Sequence, residues 1–109
     1  MRCIVTGGAG FIGTNLVNRL VGDGHEVIVF DNLSTGKQEN INKKAKFFLV
    51  DISHQSYFED KTMKDIMTDV DVIFHLAALQ NIKESSKVHM LGLNMVVNNY
   101  VNYIVQFTI

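Results

Sequence analysis

The chain has 109 residues, an apolar fraction of 47% and a net charge of −1 at neutral pH, which suits one globular core and leaves no room for a second domain. Its basic residues are scattered, so neither nucleic acid nor an anionic membrane is favoured as a partner. The single cysteine, Cys3, excludes an internal disulfide and any zinc spacing and suits a reducing cytoplasm, the expected location. No apolar run approaches the length of a bilayer span, and glycines at 7, 8, 10 and 13 interrupt the apolar stretch after Arg2 that could mimic a secretion signal.

In chain order, Arg2 to Thr6 reads as a short buried strand. A glycine turn follows, then a helix with an apolar face at Ile12, Leu16 and Leu20, supported by Val17 and Val21. Gly22, Asp23 and Gly24 stop the helix, and His25 to Phe30 makes a second strand of the continuous apolar type that a parallel sheet buries on both faces. The polar segment from Asp31 to Asn42 leads into a third strand at Lys46 to Val50. Ser56 and Glu59 have capping-box spacing, which predicts a helix from there to about Met67, before a fourth strand at Val72 to Leu76. From Met90 onward, Leu93, Val97, Val101 and Ile104 alternate with a polar stripe of Asn94, Asn98, Asn102 and Gln106, which predicts an amphipathic helix. Strands separated by helices or long crossovers mean an α/β fold with a parallel sheet. The expected order is 3-2-1-4, with flanking helices and a cofactor crevice at the carboxyl ends of the first and fourth strands. The fourth strand is then an open apolar edge that favours self-association or a partner that completes the sheet.

The strongest constellation is Thr6, Gly7, Gly8, Ala9, Gly10, Phe11, Ile12, Gly13, lying between a strand and a helix. This is the context in which a glycine fingerprint reads as a dinucleotide site. A doubly charged pyrophosphate must approach free N–H groups at the helix start, where a Cβ at Gly7 or Gly10 would obstruct it. Gly13 lets the helix pack close to the first strand. Asp31 ends the second strand, where a carboxylate accepts from the adenosine ribose hydroxyls; its replacement by alanine is expected to remove that acceptor and leave the turn intact. A 2′-phosphate would meet Asp31 with no arginine to neutralise it, so NAD is favoured over NADP, and Lys37 is read as a solvated surface residue.

Thr6 to Gly13, Asp31 to Gly36 (Asp-Asn-Leu-Ser-Thr-Gly), Asp51-Ile52 and His75-Leu76-Ala77-Ala78 together resemble the extended short-chain dehydrogenase/reductase family. The nearest branch is that of the nucleotide-sugar epimerases and dehydratases. The resemblance runs from residue 1 to 78 and implies a partial NAD-binding Rossmann domain over 1–109. It adds Asn32, Ser34 and Gly36 to the cofactor site, puts Asp51 and Ile52 beside the adenine, and runs Leu76, Ala77 and Ala78 past the pyrophosphate and nicotinamide ribose.

In that family a Tyr-x-x-x-Lys pair with a nearby Ser or Thr moves the proton while the nicotinamide exchanges hydride with the sugar. The pair is expected after a fifth strand, beyond this chain. Tyr57 and Lys61 have the right letters but precede the fourth strand on the adenine side, so no catalytic residue is assigned. The four histidines have no ligand spacing, and no metal site is expected. The expected function is the NAD-binding N-terminal portion of a nucleotide-sugar epimerase or dehydratase, inactive alone. A complementing C-terminal half or a second copy is then the expected partner. The alternatives are a non-catalytic NAD-binding regulatory module or a decayed gene fragment. An S-adenosylmethionine-dependent methyltransferase shares the glycine-rich first turn but fits Gly13 less well.

Overall fold

A computed structural model describes residues 1–34, 36–50 and 61–76 and the backbone of Val101–Gln106. The elements are β1 (Arg2–Thr6), α1 (Phe11–Gly22), β2 (Glu26–Asp31), β3 (Lys46–Leu49), α2 (Lys61–Met67), β4 (Val70–His75) and β5 (Val101–Gln106), with one short 3₁₀ turn at Gln38–Asn40. The five strands form one sheet in the order β3-β2-β1-β4-β5. Every pairing is parallel.

β1 is the centre because it can be covered on both faces. Cys3, Ile4 and Val5 are wholly buried, as are Ile28, Val29 and Phe30 beside them. Successive side chains point to opposite faces of a strand. Accordingly Cys3, Val5, Val27 and Val29 pack with Val17 and Leu20 of α1, while Ile4, Ile28, Phe30 and Ile73 pack with Met63 and Met67 of α2. Phe30 and Phe48 meet edge to face, centroids 6.1 Å apart, and extend the second layer toward β3. Each fully buried side chain contributes about 1.5–3 kcal/mol relative to exposure, so this two-sided core holds the strand ends in place.

α1 stops where expected. The N–H groups of Asp23, Gly24 and His25 return to the carbonyls of Arg19, Val21 and Leu20, satisfying acceptors that a helix end otherwise leaves open. At the amino ends of the strands, the Arg2 N–H donates to Asp71 Oδ2 at 2.7 Å. Glu26 lies between Arg2 Nε at 3.8 Å and Lys46 Nζ at 3.5 Å. These ties leave the carboxyl ends free for the crevice.

β1 matches its expected bounds, β2 is shifted by one residue at both ends, and β3 ends one residue early. β4 starts at Val70, two residues early, and ends at His75. The helix expected from Ser56 is seen from Lys61; its first part lies outside the described residues. The tail is a correction. Over Val101–Gln106 the chain is a strand, not a helix, and it pairs with β4, so the expected open edge of β4 is covered. The run Val-Asn-Tyr-Ile-Val-Gln is rich in β-branched and aromatic residues, whose stiff side chains suit a pleated sheet better than a helix turn. The 3.6-residue stripe was a weaker signal than that composition.

Candidate functional site

The sheet order reverses at β1, where β2 and β3 lie to one side and β4 and β5 to the other. In an open α/β sheet the crevice forms outside the carboxyl ends of the strands at such a point. Gly7 starts it: its N–H donates to the Phe30 carbonyl at 2.7 Å and its φ is +72°. On the other side the Leu76 N–H donates to the Thr6 carbonyl at 3.2 Å. The chain therefore divides here, with one wall following β2 and the other leaving β4.

The glycine loop packs on itself. A Cβ at Gly13 would collide with the Gly7 carbonyl oxygen and lie 2.7 Å from the Gly8 Cα. Only a glycine in the first turn of α1 lets the loop fold back so closely. The close approach is thus to the loop leaving β1 rather than to the strand itself. A Cβ at Gly8 would meet Val29 at 2.5 Å, which presses the loop onto β2.

The first turn of α1 then presents its donors. The N–H groups of Phe11, Ile12 and Gly13 find no acceptor among the described residues, and no side chain caps the helix. No acidic residue lies in that turn. Free N–H groups and the positive end of a 12-residue helix make a site for an anion. The side chains of Phe11 and Ile12 are exposed, so the backbone, not the side chain, is the part of these residues suited to a phosphate.

Asp31 is buried to 8% exposure and is a brace as well as an end residue. Its Oδ2 accepts from the Ala9 N–H at 2.9 Å and its Oδ1 from the Leu33 N–H at 2.7 Å. Leu33 has φ +60°, uncommon for a residue with a side chain, and the Asp31 bond holds it there. Asn32 Oδ1 accepts from the Ser34 N–H at 3.0 Å, a second turn of the same kind. Asp31 therefore ties the glycine loop to the following turn, and the expectation that its removal leaves the turn intact is corrected. A carboxylate has about four acceptor positions, and these two bonds use half of them.

Gly36 closes this side. A Cβ there would collide with the Ala9 carbonyl and lie 2.8 Å from the Ala9 Cβ. Between the two segments opens a cleft of about 470 Å³, with Ala9, Gly10, Phe11, Thr14 and Asn15 on one wall and Gly36, Lys37, Glu39 and Asn40 on the other. Of the residues expected in the site, Gly7, Gly10, Phe11, Ile12, Gly13, Asp31, Asn32, Ser34 and Gly36 thus gather around one loop pair. Leu76 stands across the crevice. Asp51, Ile52, Ala77 and Ala78 lie outside the described residues, as does Tyr57.

Sequence reasoning missed Ala9, whose N–H is a donor to Asp31, and the cleft wall formed by Thr14 and Asn15; Lys37, read as a solvated surface residue, is exposed on the opposite wall. The helix spacing of Phe11, Thr14 and Asn15 was the available signal. It also missed the contact of Thr6 with His75, last residues of two adjacent strands. Among the described residues no cluster of His, Cys, Asp and Glu could hold a metal ion, and no helix is long and apolar enough to cross a membrane.

This geometry has relatives. UDP-glucose 4-epimerase of Mycolicibacterium smegmatis is 41% identical over 92 residues, covering 78% of this chain and 28% of that protein. UDP-glucuronic acid decarboxylase 1 of Arabidopsis thaliana is 44% identical over 80 residues, 71% of this chain and 17% of that one. The chain thus spans about a quarter or less of the length of these curated relatives. The crystal structure of UDP-glucose 4-epimerase from Thermotoga maritima with UDP-glucose matches with a TM-score of 0.81 at 33% identity, covering 97% of this chain and 37% of that one. The Thermus thermophilus UDP-glucose 4-epimerase in complex with NAD gives 0.76 at 35% identity, covering 92% and 34%. The fold is therefore the Rossmann type of these epimerases. The family model that matches, over residues 3–98, is that of the NAD dependent epimerase/dehydratase family, and the chain belongs to it.

Proposed function

We propose that this chain is the NAD-binding portion of a nucleotide-sugar epimerase, dehydratase or decarboxylase, and that it holds the adenosine and pyrophosphate of the cofactor. The observation that carries the reading is the first turn of α1, with three N–H groups that find no acceptor among the described residues, beside the loop that Asp31 braces. When bound, NAD supplies the carbon that takes up and returns hydride. Phe11, Ile12 and Gly13 hold the pyrophosphate through the backbone, Gly13 lets the loop close beneath it, and Asp31 accepts from the ribose hydroxyls. A 2′-phosphate would stand against the Asp31 carboxylate, which favours NAD over NADP by about tenfold, the equivalent of about 1.4 kcal/mol. Lys37 is exposed on the far wall of the cleft and offsets little of this repulsion. The family resemblance assigns Asp51 and Ile52 to the adenine end and Ala77 and Ala78 to the nicotinamide end of this proposed site.

The polypeptide by itself does not turn over a nucleotide sugar. Its one Tyr-x-x-x-Lys sequence ends at Lys61, which begins α2 and so precedes β4, whereas the family resemblance puts the catalytic pair after a fifth strand. A chain without a positioned base forgoes about 10²- to 10⁴-fold from acid–base catalysis alone, and the described residues offer no Tyr-x-x-x-Lys pair. Calorimetric titration tests the reading. NAD and ADP should compete for one site while nicotinamide mononucleotide does not displace them, and UDP-glucose with saturating NAD should show no turnover. Absence of ADP and NAD binding at millimolar concentration refutes the cofactor role. Turnover abolished by Tyr57→Phe refutes the inactivity.

A further inference from the structure

Thr6 and His75 are the last residues of β1 and β4 and are register partners in the parallel ladder. Thr6 is wholly buried and His75 is 4% exposed. Both continue the alternation of Ile4 and Ile73, so both face the side of the sheet covered by α2. There Thr6 Oγ1 lies 2.7 Å from His75 Nδ1. The Leu76 N–H donates to Thr6 twice, to the carbonyl at 3.2 Å and to Oγ1 at 3.1 Å. One residue after Thr6 the chain turns toward β2 through the Gly7 N–H. One residue after His75 it leaves the sheet at Leu76.

We propose that Thr6 and His75 form a positioning pair that fixes the separation of the two crevice walls, the glycine loop on one side and the Leu76 segment on the other, and so sets cofactor affinity. The inference rests on the reading of this crevice as an NAD site. A valine at position 6 would fill the same volume and keep the ladder bond to the Thr6 carbonyl. It would not accept the Leu76 N–H a second time or bond the imidazole. Burying a hydroxyl and an imidazole at the end of an apolar face is costly unless they are bonded. Bonded to one another, they give the end of β4 a fixed direction that ladder bonds alone leave looser. Thr6 and His75 touch no cofactor in this scheme; they act through Gly7 and Leu76.

The test compares four forms of the chain, wild type, Thr6→Val, Thr6→Ser and Ile73→Val. It reads NAD affinity by calorimetry, amide hydrogen exchange at Gly7 and Leu76 without ligand, and thermal stability. Thr6→Val, which removes the Oγ1 that accepts from the Leu76 N–H and bonds His75 Nδ1, should weaken NAD about tenfold and should speed exchange at Leu76 in the free chain. Thr6→Ser, which keeps the hydroxyl, should restore both. Ile73→Val trims the same face two residues earlier and should lower stability while leaving NAD affinity unchanged. If Thr6→Val weakens NAD no more than Ile73→Val, or if serine fails to rescue, the positioning role is overturned. Should Thr6→Val not fold, His75→Phe carries the same test, with unchanged affinity and unchanged Leu76 exchange overturning the proposal. A wild-type chain that binds no NAD refutes the cofactor reading instead, and unaltered Leu76 exchange in Thr6→Val then overturns the pair independently.

Discussion

Removing the Asp31 carboxylate should unsettle the loop before it affects any ligand. In Asp31→Ala two backbone donors lose their acceptor, Ala9 N–H at 2.9 Å and Leu33 N–H at 2.7 Å. Ala9 is 2% exposed, so water does not replace the bond, and a stranded buried donor costs about 1–3 kcal/mol. Leu33 is half-buried and can be partly hydrated, but it also loses the bond that holds its φ at +60°, adding about 1 kcal/mol. The sum is about 2–4 kcal/mol of folding stability, a large share of the total for a domain of this size. Asp31→Asn keeps one acceptor oxygen and should lose about half as much. Urea denaturation of the ligand-free chain measures both, with the slope of the transition checked for constancy. A loss below about 0.5 kcal/mol in Asp31→Ala, the range of an ordinary surface substitution, would refute the brace. If stability is lost as expected, NAD affinity should fall by more than a single ribose hydrogen bond accounts for, because the loop that presents Phe11 and Ile12 moves with Ala9.

Gly13→Ala forces a Cβ against the Gly8 backbone and should cost about 1–3 kcal/mol by overpacking, seen as a lower melting temperature together with weaker ADP binding; a variant of unchanged stability would contradict the packing described. Burial pushes the Cys3 thiol above its ordinary value of 9.0, with Asp71 adding to the rise and the chain's amino terminus opposing it. The folded thiol therefore stays protonated where the unfolded one ionises. Its contribution is fully present below pH 9 and is lost as the pH rises above that, so Cys3→Ala should show a flatter alkaline stability profile than wild type. Backbone chemical shifts over Val101–Gln106 should have the sign of a strand, and amides there should exchange slowly; helical shifts would restore the reading that the structure overturned.

The elements legible in the sequence were those in which local pattern and global position agree. β1 and β2 are continuous apolar runs because the centre of a parallel sheet is buried on both faces, and the glycines between them admit few other readings. The tail was misread because its stripe at Leu93, Val97, Val101 and Ile104 satisfies a helical period, while the composition that decides the matter, Val101, Tyr103, Ile104 and Val105 within six residues, is partly on that same stripe. The role of Asp31 was half legible. Its place after β2 was enough to mark it as an acceptor, but a hydrogen bond to Ala9, twenty-two residues earlier in the chain, depends on how closely the loop returns over β2. That closeness is set by Gly8 against Val29 and Gly36 against Ala9, contacts between segments that no periodicity encodes. The pairing of Thr6 with His75 is of the same kind, since only the register of β1 on β4 brings the two strand ends together.

The interactions that shape the crevice among the described residues all join segments of this chain: Gly7 to Phe30, Ala9 to Asp31, Gly13 to Gly7, Gly36 to Ala9 and Leu76 to Thr6. Each lies at the carboxyl end of β1, β2 or β4 or in the loop that follows it, and each rests on the two-sided core beneath. The anion cradle at α1 is thus held by contacts within the chain itself. A cradle braced in this way lowers the ordering cost of binding an anion there. Chemistry at the nicotinamide end is different, because the orientation of a reacting hydroxyl against a hydride acceptor, which supplies as much as about 7–11 kcal/mol, requires groups on both sides of the reacting carbon. The two ends of one ligand therefore place unequal demands on the chain. The described residues offer the first demand the free donors of α1 and the Asp31 brace, whereas the second is met only by groups that flank the reacting carbon.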